Sequence, residues 1–332
     1  MQHDKILLAH GGGGVLTREL IETIIVPAFG TNPSGLPDAA PVPGAPDILF
    51  TTDSFVVKPL FFPGGDIGSL AIHGTINDLA VSGARPVAIA LSLIIEEGLE
   101  VAELTRIVES AARAARECGV AVITGDTKVV ARGEADRLFI TTSGVGVRAF
   151  SSDSRMIQPG DAVIINGPIA EHGIAVMSKR EGIDFETEIT SDSASVWPLV
   201  EGLMKRGVAV RVMRDPTRGG LAATLTELAT DSGVTVELEE DAIPIKAGVA
   251  AACEMLGLDP LAVANEGKLV AFVARQDAER AVKILRGIAG GREAAIIGTV
   301  VPKRSVPVTI KTRFGSERAV DMPYGEELPR IC

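Results

Sequence analysis

The sequence predicts a mixed helix-and-strand protein built as two successive units followed by an irregular tail. Three observations predict it. The chain has 332 residues, about twice what a single ordinary domain uses. Short apolar runs that end in Gly-, Thr- or Asp-bearing turns alternate with longer stretches of helical period. The pattern then restarts at the turn Pro159-Gly160-Asp161. The boundary therefore falls near residues 150–160, giving units at 1–155 and 156–310 and a tail at 311–332.

In the first unit Ile6 to Ala9 reads as a short strand, and the run Gly11 to Gly14 leads into a helix, Leu16 to Phe29. Residues 30–47 are rich in Pro, Gly and Asp and read as a loop. Ile48 to Thr52 is a strand ending at Asp53, Phe55 to Leu60 a second strand-like stretch, and Asp66 to Val81 a helix. Val87 to Ile95 is a buried strand. Leu99 to Cys118 is an amphipathic helix stopped by Gly119. Val120 to Thr124 reads as a further buried strand ending at Gly125-Asp126, and Leu138 to Val147 closes the unit.

The second unit opens with the strand Ala162 to Asn166 and helices near Ile174 to Arg180 and Ser193 to Lys205. The strand Val208 to Met213 runs into Asp215, and a helix spans about Gly220 to Ser232. Strand Thr235 to Leu238, helix Lys246 to Leu256, strand Leu269 to Ala274 and helix Asp277 to Gly287 complete it. From Lys311 onward prolines and mixed charge leave no periodicity, which predicts a flexible arm.

Composition narrows the function. A net charge of −11 opposes nucleic-acid phosphates and anionic lipid, and aromatics at 4% leave few platforms for stacking bases. The start of the chain lacks a secretory pattern and no apolar run reaches membrane-spanning length. Cys118, Cys253 and Cys332 lie far apart without zinc spacing. A cytoplasmic protein with reduced thiols, without nucleic-acid or membrane partners, is expected.

Several acidic residues stand at strand ends, where rigid backbone aims side chains at one rim of a sheet: Asp53, Asp126 and Asp215, with Asn77-Asp78 interrupting an apolar helix. Aspartate also caps turns and helices, so each alone has an ordinary explanation. Together they suit Mg²⁺, which takes carboxylates plus nucleotide phosphates. Gly11, Gly12 and Gly13 offer unobstructed N–H groups to phosphate, with His10 alongside, although a glycine run is also simply a flexible turn. Asp215-Pro216-Thr217-Arg218-Gly219-Gly220 is more specific, because a glycine pair opens a helix beside an arginine. Gly144-Val145-Gly146 imitates a dinucleotide fingerprint but no helix follows it.

Glu266, in a turn before a buried strand, is a candidate base or a turn residue paired with Lys268. Lys128 neutralises phosphate, acts as a base when desolvated, or is a solvated loop lysine. His73, on the same helix face as Asn77, either touches the site or is simply a hydrogen-bonded helix histidine, and His3 and His172 carry no signal. Cys118 and Cys253 read as small core residues. Cys332 differs because it is the last residue. Its position excludes a prenylation box, and either it is an accidental thiol on a frayed end or it swings like a tethered carrier.

These blocks carry a resemblance. Phe50-Thr-Thr-Asp-Ser-Phe-Val, Phe61-Phe-Pro-Gly-Gly-Asp-Ile-Gly, Asn77-Asp78-Leu-Ala-Val-Ser-Gly-Ala, Gly125-Asp126-Thr127-Lys128-Val-Val, Asp215-Pro-Thr-Arg-Gly-Gly, Asn265-Glu-Gly-Lys-Leu and the terminal Pro329-Arg-Ile-Cys resemble the HypE family. That family comprises the carbamoyl dehydratases of nickel–iron hydrogenase maturation, within the aminoimidazole ribonucleotide synthetase (PurM-like) superfamily. The terminal motif sets it apart from the rest of that superfamily. Four consecutive glycines stand where many relatives carry a Ser, which leaves the individual phosphate contacts of that loop open.

The resemblance implies an α+β, two-domain PurM-like fold that forms a homodimer through its N-terminal domains. It implies that a HypF-type carbamoyltransferase loads a carboxamide onto Cys332, that ATP dehydrates it to a thiocyanate, and that a HypC–HypD complex accepts the cyanide. Residues carried over for ATP are His10, Gly11, Gly12, Gly13, Asp53, Asn77, Asp78, Gly125, Asp126, Thr127, Asp215, Arg218, Gly219 and Gly220. Mg²⁺ would be held by Asp53, Asp78 and Asp126, with Glu266 as base and Lys128 as electrostatic partner. Residues 312–332 span at most ~70 Å when extended, enough to reach another domain or subunit.

Two other readings compete. A small-molecule kinase or synthetase of the same superfamily needs no terminal thiol. A scaffold that only presents Cys332 needs no convergent aspartates.

Overall fold

The computed structural model describes residues 5–29, 37–183, 189–325, 328 and 330–332. Residues 30–36 of the expected loop and Pro329 of the terminal motif lie outside the described residues. Among the described residues no helix is long and apolar enough to cross a membrane.

The first half is built on a five-stranded sheet in the order Ala40–Val42, Ala45–Phe55, Leu138–Arg148, Ala84–Glu96, Ala121–Val130. Its last pair is parallel. Parallel neighbours need a crossover, and the helix Val101–Glu117 supplies it with a stripe of Ile107, Ala111, Ala114 and Ala115 turned inward. Against the sheet lies Ile67–Val81, a helix apolar nearly all round and therefore buried. Asp66 caps it, accepting from the N–H groups of Gly68 and Ser69 at 2.8 and 3.0 Å. The helix approaches so closely that a Cβ at Gly144 would sit 2.7 Å from Thr75, which explains the false dinucleotide pattern as a packing requirement.

The second half is a seven-stranded sheet in the order Glu317–Ala319, Val308–Lys311, Val234–Glu239, Ala295–Pro302, Ala162–Ile165, Val270–Val273, Val210–Arg214. Ala162–Ile165 and Val270–Val273 are buried on both faces. Helices Glu171–Glu181, Gly220–Ser232 and Ala247–Leu256 contribute to one apolar cluster, and Trp197–Lys205 and Ala278–Arg286 to another. The first cluster also contains Phe55, Ile67 and Leu70 of the first half and Leu328 and Ile331 of the tail. The two halves are thus fused by shared core, and the α+β architecture expected of the chain is observed.

Several local expectations differ from the structure. The segment expected as a strand from Ile6 is a 3-10 turn at Leu8–Gly11. Val15–Phe29 is helical throughout but carries a π-helical stretch at Ile21–Ile25. Residues 56–60 are not a strand; Phe55 ends the preceding one. Trp197, not Ser193, opens the helix before Lys205. The strand expected to be buried at Val120 to Thr124 is an exposed edge strand, Ala121–Val130, in which Asp126 lies mid-strand. Its unbroken apolar start imitates a buried strand.

The tail departs most from expectation. Glu317–Ala319 pairs with Val308–Lys311, and the last residues are seated instead of loose. Val56 donates its N–H to Cys332 O at 3.0 Å, and Lys58 donates to Arg330 O at 3.1 Å. Arg330 returns a hydrogen bond to Val56 O at 2.9 Å and pairs with Asp136. Ile331 is only 3% exposed. An apolar residue between two anchored neighbours gives a charged, proline-bearing end a fixed place.

Candidate active site

A cavity of about 980 Å³ opens between the two halves, at the upper end of the usual range for small-molecule sites. Asp38, Asp53, Asp78, Asp215, Glu266, Arg214, Arg218 and Cys332 are among the residues lining it. Each acidic group comes from a different element. Asp38 precedes the strand Ala40–Val42, Asp53 lies near the end of Ala45–Phe55, Asp78 interrupts the buried helix, and Asp215 follows Val210–Arg214.

Asp38, Asp78 and Asp215 bring carboxylate oxygens within 4.8 Å of one another. Arg214 pairs with Asp38 at 2.9 Å and with Glu227 at 3.5 Å, and the Thr51 hydroxyl lies 2.7 Å from Asp78 Oδ2. This does not offset the crowding. Burial, with Asp215, Asp53 and Asp38 as negative neighbours, pushes Asp78 well above the carboxylate range. Burial and Asp38 push Asp215 up to about 8, and burial raises Asp38 and Asp53 as well. Four crowded acids, Asp215 buried and the others half-buried, sharing little positive charge are what a divalent cation satisfies.

Glu266 is 3% exposed. Burial, then the charges of Asp215, Asp53 and Asp192, raise it well above the ordinary glutamate value. Its backbone is fixed at both ends. The Asn77 amide donates to Glu266 O at 3.0 Å, and Asp192 accepts from the N–H groups of Glu266 and Gly267 at 3.3 and 3.1 Å. Lys268, 2.9 Å from Asp192, keeps that carboxylate charged.

The expected site residues divide into three groups. Cys332, Glu266, Asp53, Asp78, Asp215, Arg218 and Gly13 line one cavity. A second group supports the fold around the cavity. Asn77 does not face the cavity, because its amide is used on Ala194 O, Glu266 O and the Val196 N–H. His10 accepts the Leu7 N–H at Nδ1. Gly12 and Gly219 border a minor crevice under the tail, while Gly11 contributes its carbonyl to Arg218. Gly220 packs against the backbone of Leu261 and Val263.

The expected phosphate cradle is also differently employed. Gly13 N–H goes to Thr17 Oγ1 at 2.9 Å, and the first helical N–H groups, of Val15 and Leu16, go to Pro323 O and Tyr324 O of the tail. Gly14 is glycine because a Cβ there would lie 2.0 Å from the Pro323 oxygen.

The third group is remote from the cavity. Gly125, Asp126, Thr127 and Lys128 sit on the exposed edge strand. Asp126 and Lys128 pair with each other at 2.7 Å with both side chains over 60% exposed, and Lys128 holds Asp126 below the usual carboxylate value. Asp126 therefore does not join Asp53 and Asp78 here; Asp38 and Asp215 do. Asp38 escaped sequence reasoning because a Pro- and Gly-rich loop gives every aspartate a turn to cap. Arg214, Asp192 and His172 likewise had no local signal.

Comparison with known proteins agrees with this architecture. Residues 37–148 match the family described as AIR synthase related protein, N-terminal domain, and residues 158–311 match its C-terminal domain. The fold and the cavity therefore define an AIR synthase related, PurM-like protein. The carbamoyl dehydratase HypE of Cupriavidus necator is 51% identical, covering 99% of this chain and 95% of its own. Among solved structures, one of a HypE–HypF complex superimposes with a TM-score of 0.87 at 48% identity, covering 92% of this chain and 99% of that one. A HypE structure in complex with ATP gives 0.84 at 42% identity, covering 99% and 100%. The chain belongs to the HypE carbamoyl dehydratase family.

Proposed function

We propose that the protein uses ATP to dehydrate a carboxamide carried on the Cys332 sulfur to a thiocyanate, the source of the cyanide ligands of a nickel–iron hydrogenase. One observation carries the reading: Cys332 lines the same cavity as Glu266 and the aspartate cluster. A thiol brought there by its own chain reacts at high effective concentration.

The carboxamide oxygen attacks the γ-phosphorus of ATP and ADP departs, which turns a poor leaving group into phosphate. Loss of the nitrogen's protons and of phosphate then forms the C≡N bond. Atoms balance as thiocarboxamide plus ATP giving thiocyanate, ADP and inorganic phosphate. Arg218 would meet phosphate charge, and Glu266 would take protons from nitrogen. Burial and its acidic neighbours raise its affinity for a proton, so it would act as a base only after ionising, and would then be a stronger one than a solvated glutamate.

We assign the cation to Asp38, Asp78 and Asp215 with Asp53 adjacent, replacing Asp126 of the first expectation. Mg²⁺ bound there would neutralise charge developing on the phosphates. Residues 1–155 would supply the greater part of the ATP site and the dimer contact, residues 156–310 the base, and 311–332 the carrier.

A homodimer is supported by the exposed edge strand, where Ile123 and Val129 are 69% and 68% exposed and Val122, Ile94, Val87 and Phe50 add apolar surface. In such a dimer Asp126 and Lys128 would face the second copy. A HypF-type carbamoyltransferase would load Cys332 and a HypC–HypD complex would accept the cyanide.

The test is intact-mass spectrometry after incubation with ATP, Mg²⁺ and the carbamoyl donor system. A cyano adduct should form on the wild type and be lost in Cys332→Ala, whose fold and ATP binding remain. An adduct that survives the substitution refutes the assignment.

A further inference from the structure

His172, at the start of the helix Glu171–Glu181, is fully buried. Its Nε2 lies 2.8 Å from the carbonyl oxygen of Ile331, the residue before Cys332, and its Nδ1 lies 2.8 Å from Ser191 Oγ. These contacts dictate the tautomer. A carbonyl oxygen only accepts, so Nε2 must carry the hydrogen. Burial holds the ring below the ordinary histidine value, against the pull of Asp192 and of the Ile331 carbonyl. The ring is therefore neutral and Nδ1 accepts from the Ser191 hydroxyl, which in turn accepts the Ser193 N–H at 3.1 Å. Phe62 closes the ring edge-on at a centroid distance of 5.4 Å.

A histidine serving only the core would be satisfied by its own neighbourhood. Here the ring's one donor is committed to the penultimate residue of the chain. The residue after Ser191 is Asp192, which fixes the backbone of Glu266. Consecutive residues of one segment thus address the carrier through His172 and the base directly.

We propose that His172 is a positioning residue for Cys332, its Nε2–H on the Ile331 carbonyl seating the terminal thiol against the cavity and Ser191 setting the tautomer that makes this possible. The inference rests on the dehydratase reading for its catalytic consequence, but the seating itself does not.

The full-length protein separates the two. Iodoacetamide labelling of Cys332, followed on the terminal peptide with Cys118 as internal reference, reads the seating. Turnover of the loaded carboxamide, with kcat and KM for ATP, reads the consequence. His172→Leu should raise the Cys332 labelling rate about five- to tenfold, the scale of one buried hydrogen bond, and lower kcat while leaving KM for ATP unchanged. His172→Gln, which keeps an N–H donor, should restore both. Ser191→Ala should shift both in the same direction by less.

Equal Cys332 labelling in wild type and His172→Leu would overturn the proposal. So would a rise shared by Cys118 that His172→Gln fails to reverse, since that marks general loosening. If the wild type does not turn over its carboxamide, the parent reading fails, while the labelling comparison still decides the seating.

Discussion

Val56 donates its backbone N–H to the carbonyl oxygen of Cys332 at 3.0 Å, and Val56 directly follows the strand that carries Asp53. The last residue of the chain is therefore tied to the strand that brings an acidic group into the cavity. Carrier and reaction site share a backbone connection, not merely a neighbourhood.

The tail also holds the N-terminal helix, since Pro323 and Tyr324 accept its first two N–H groups. Gly14→Ala places a Cβ against the Pro323 oxygen without straining its own backbone. It is expected to expel the tail, at about 1 kcal/mol for each lost cap, while the remainder of the protein stays folded. Limited proteolysis should then clip the C-terminal segment several-fold faster; an unchanged digestion pattern would contradict the contact.

Asp215 sits at about 8 because burial and Asp38 disfavour its charge. Removing that charge should relieve the cation-free protein and harm the loaded one. Asp215→Asn is predicted to raise Tm in chelator, and to weaken Mg²⁺-dependent ATP binding by at least about tenfold, the loss of about 1.4 kcal/mol. Thermal melts with and without Mg²⁺ and titration calorimetry check the two signs. A lower Tm in chelator would contradict the crowded-acid account.

Asn77→Ala leaves the Val196 N–H and the Ala194 and Glu266 carbonyls without their buried partner. A loss of about 3 kcal/mol is expected in denaturant unfolding. Because one of those carbonyls belongs to Glu266, kcat should fall more than ATP affinity. Equal losses in both would mean that Asn77 contacts nucleotide after all.

His73 is held down to about 4 by burial, from an ordinary value of 6.5, with its Nδ1 3.0 Å from Ser193 Oγ. A group depressed in the folded state is protonated first in the unfolded one. Its contribution is present above pH 6.5 and is lost as pH falls toward 4. Between pH 7 and pH 5 the loss is on the order of 2 kcal/mol. His73→Gln should be less sensitive than wild type by that difference in unfolding experiments at the two pH values; parallel curves would contradict it.

Much of the fold was legible because apolar runs, glycine stops and turn residues act locally. Asp53, Asp78, Asp215, Glu266 and Cys332 were legible for the same reason: strand ends, a polar break in an apolar helix and a terminal thiol are visible in the chain itself. What escaped was long-range. His172 meets its partner 159 residues away and Asn77 meets Glu266 across 189, so neither role leaves a local pattern. Asp38 hid among turn residues. The edge strand Ala121–Val130 was misread because apolar side chains kept on a surface look like those of a core. The docked tail was misread because it is held largely through the carbonyls of Pro323, Tyr324, Arg330, Ile331 and Cys332, and composition does not record backbone bonds.

The central claim is that ATP activates the carboxamide oxygen on Cys332 as a phosphate leaving group. Loading Cys332 with a carboxamide carrying heavy oxygen and adding ATP with Mg²⁺ measures it directly by where the label goes. Label in the released inorganic phosphate, one atom for each thiocyanate formed, is the predicted result. Label released into water instead, with phosphate unlabelled, would contradict the account.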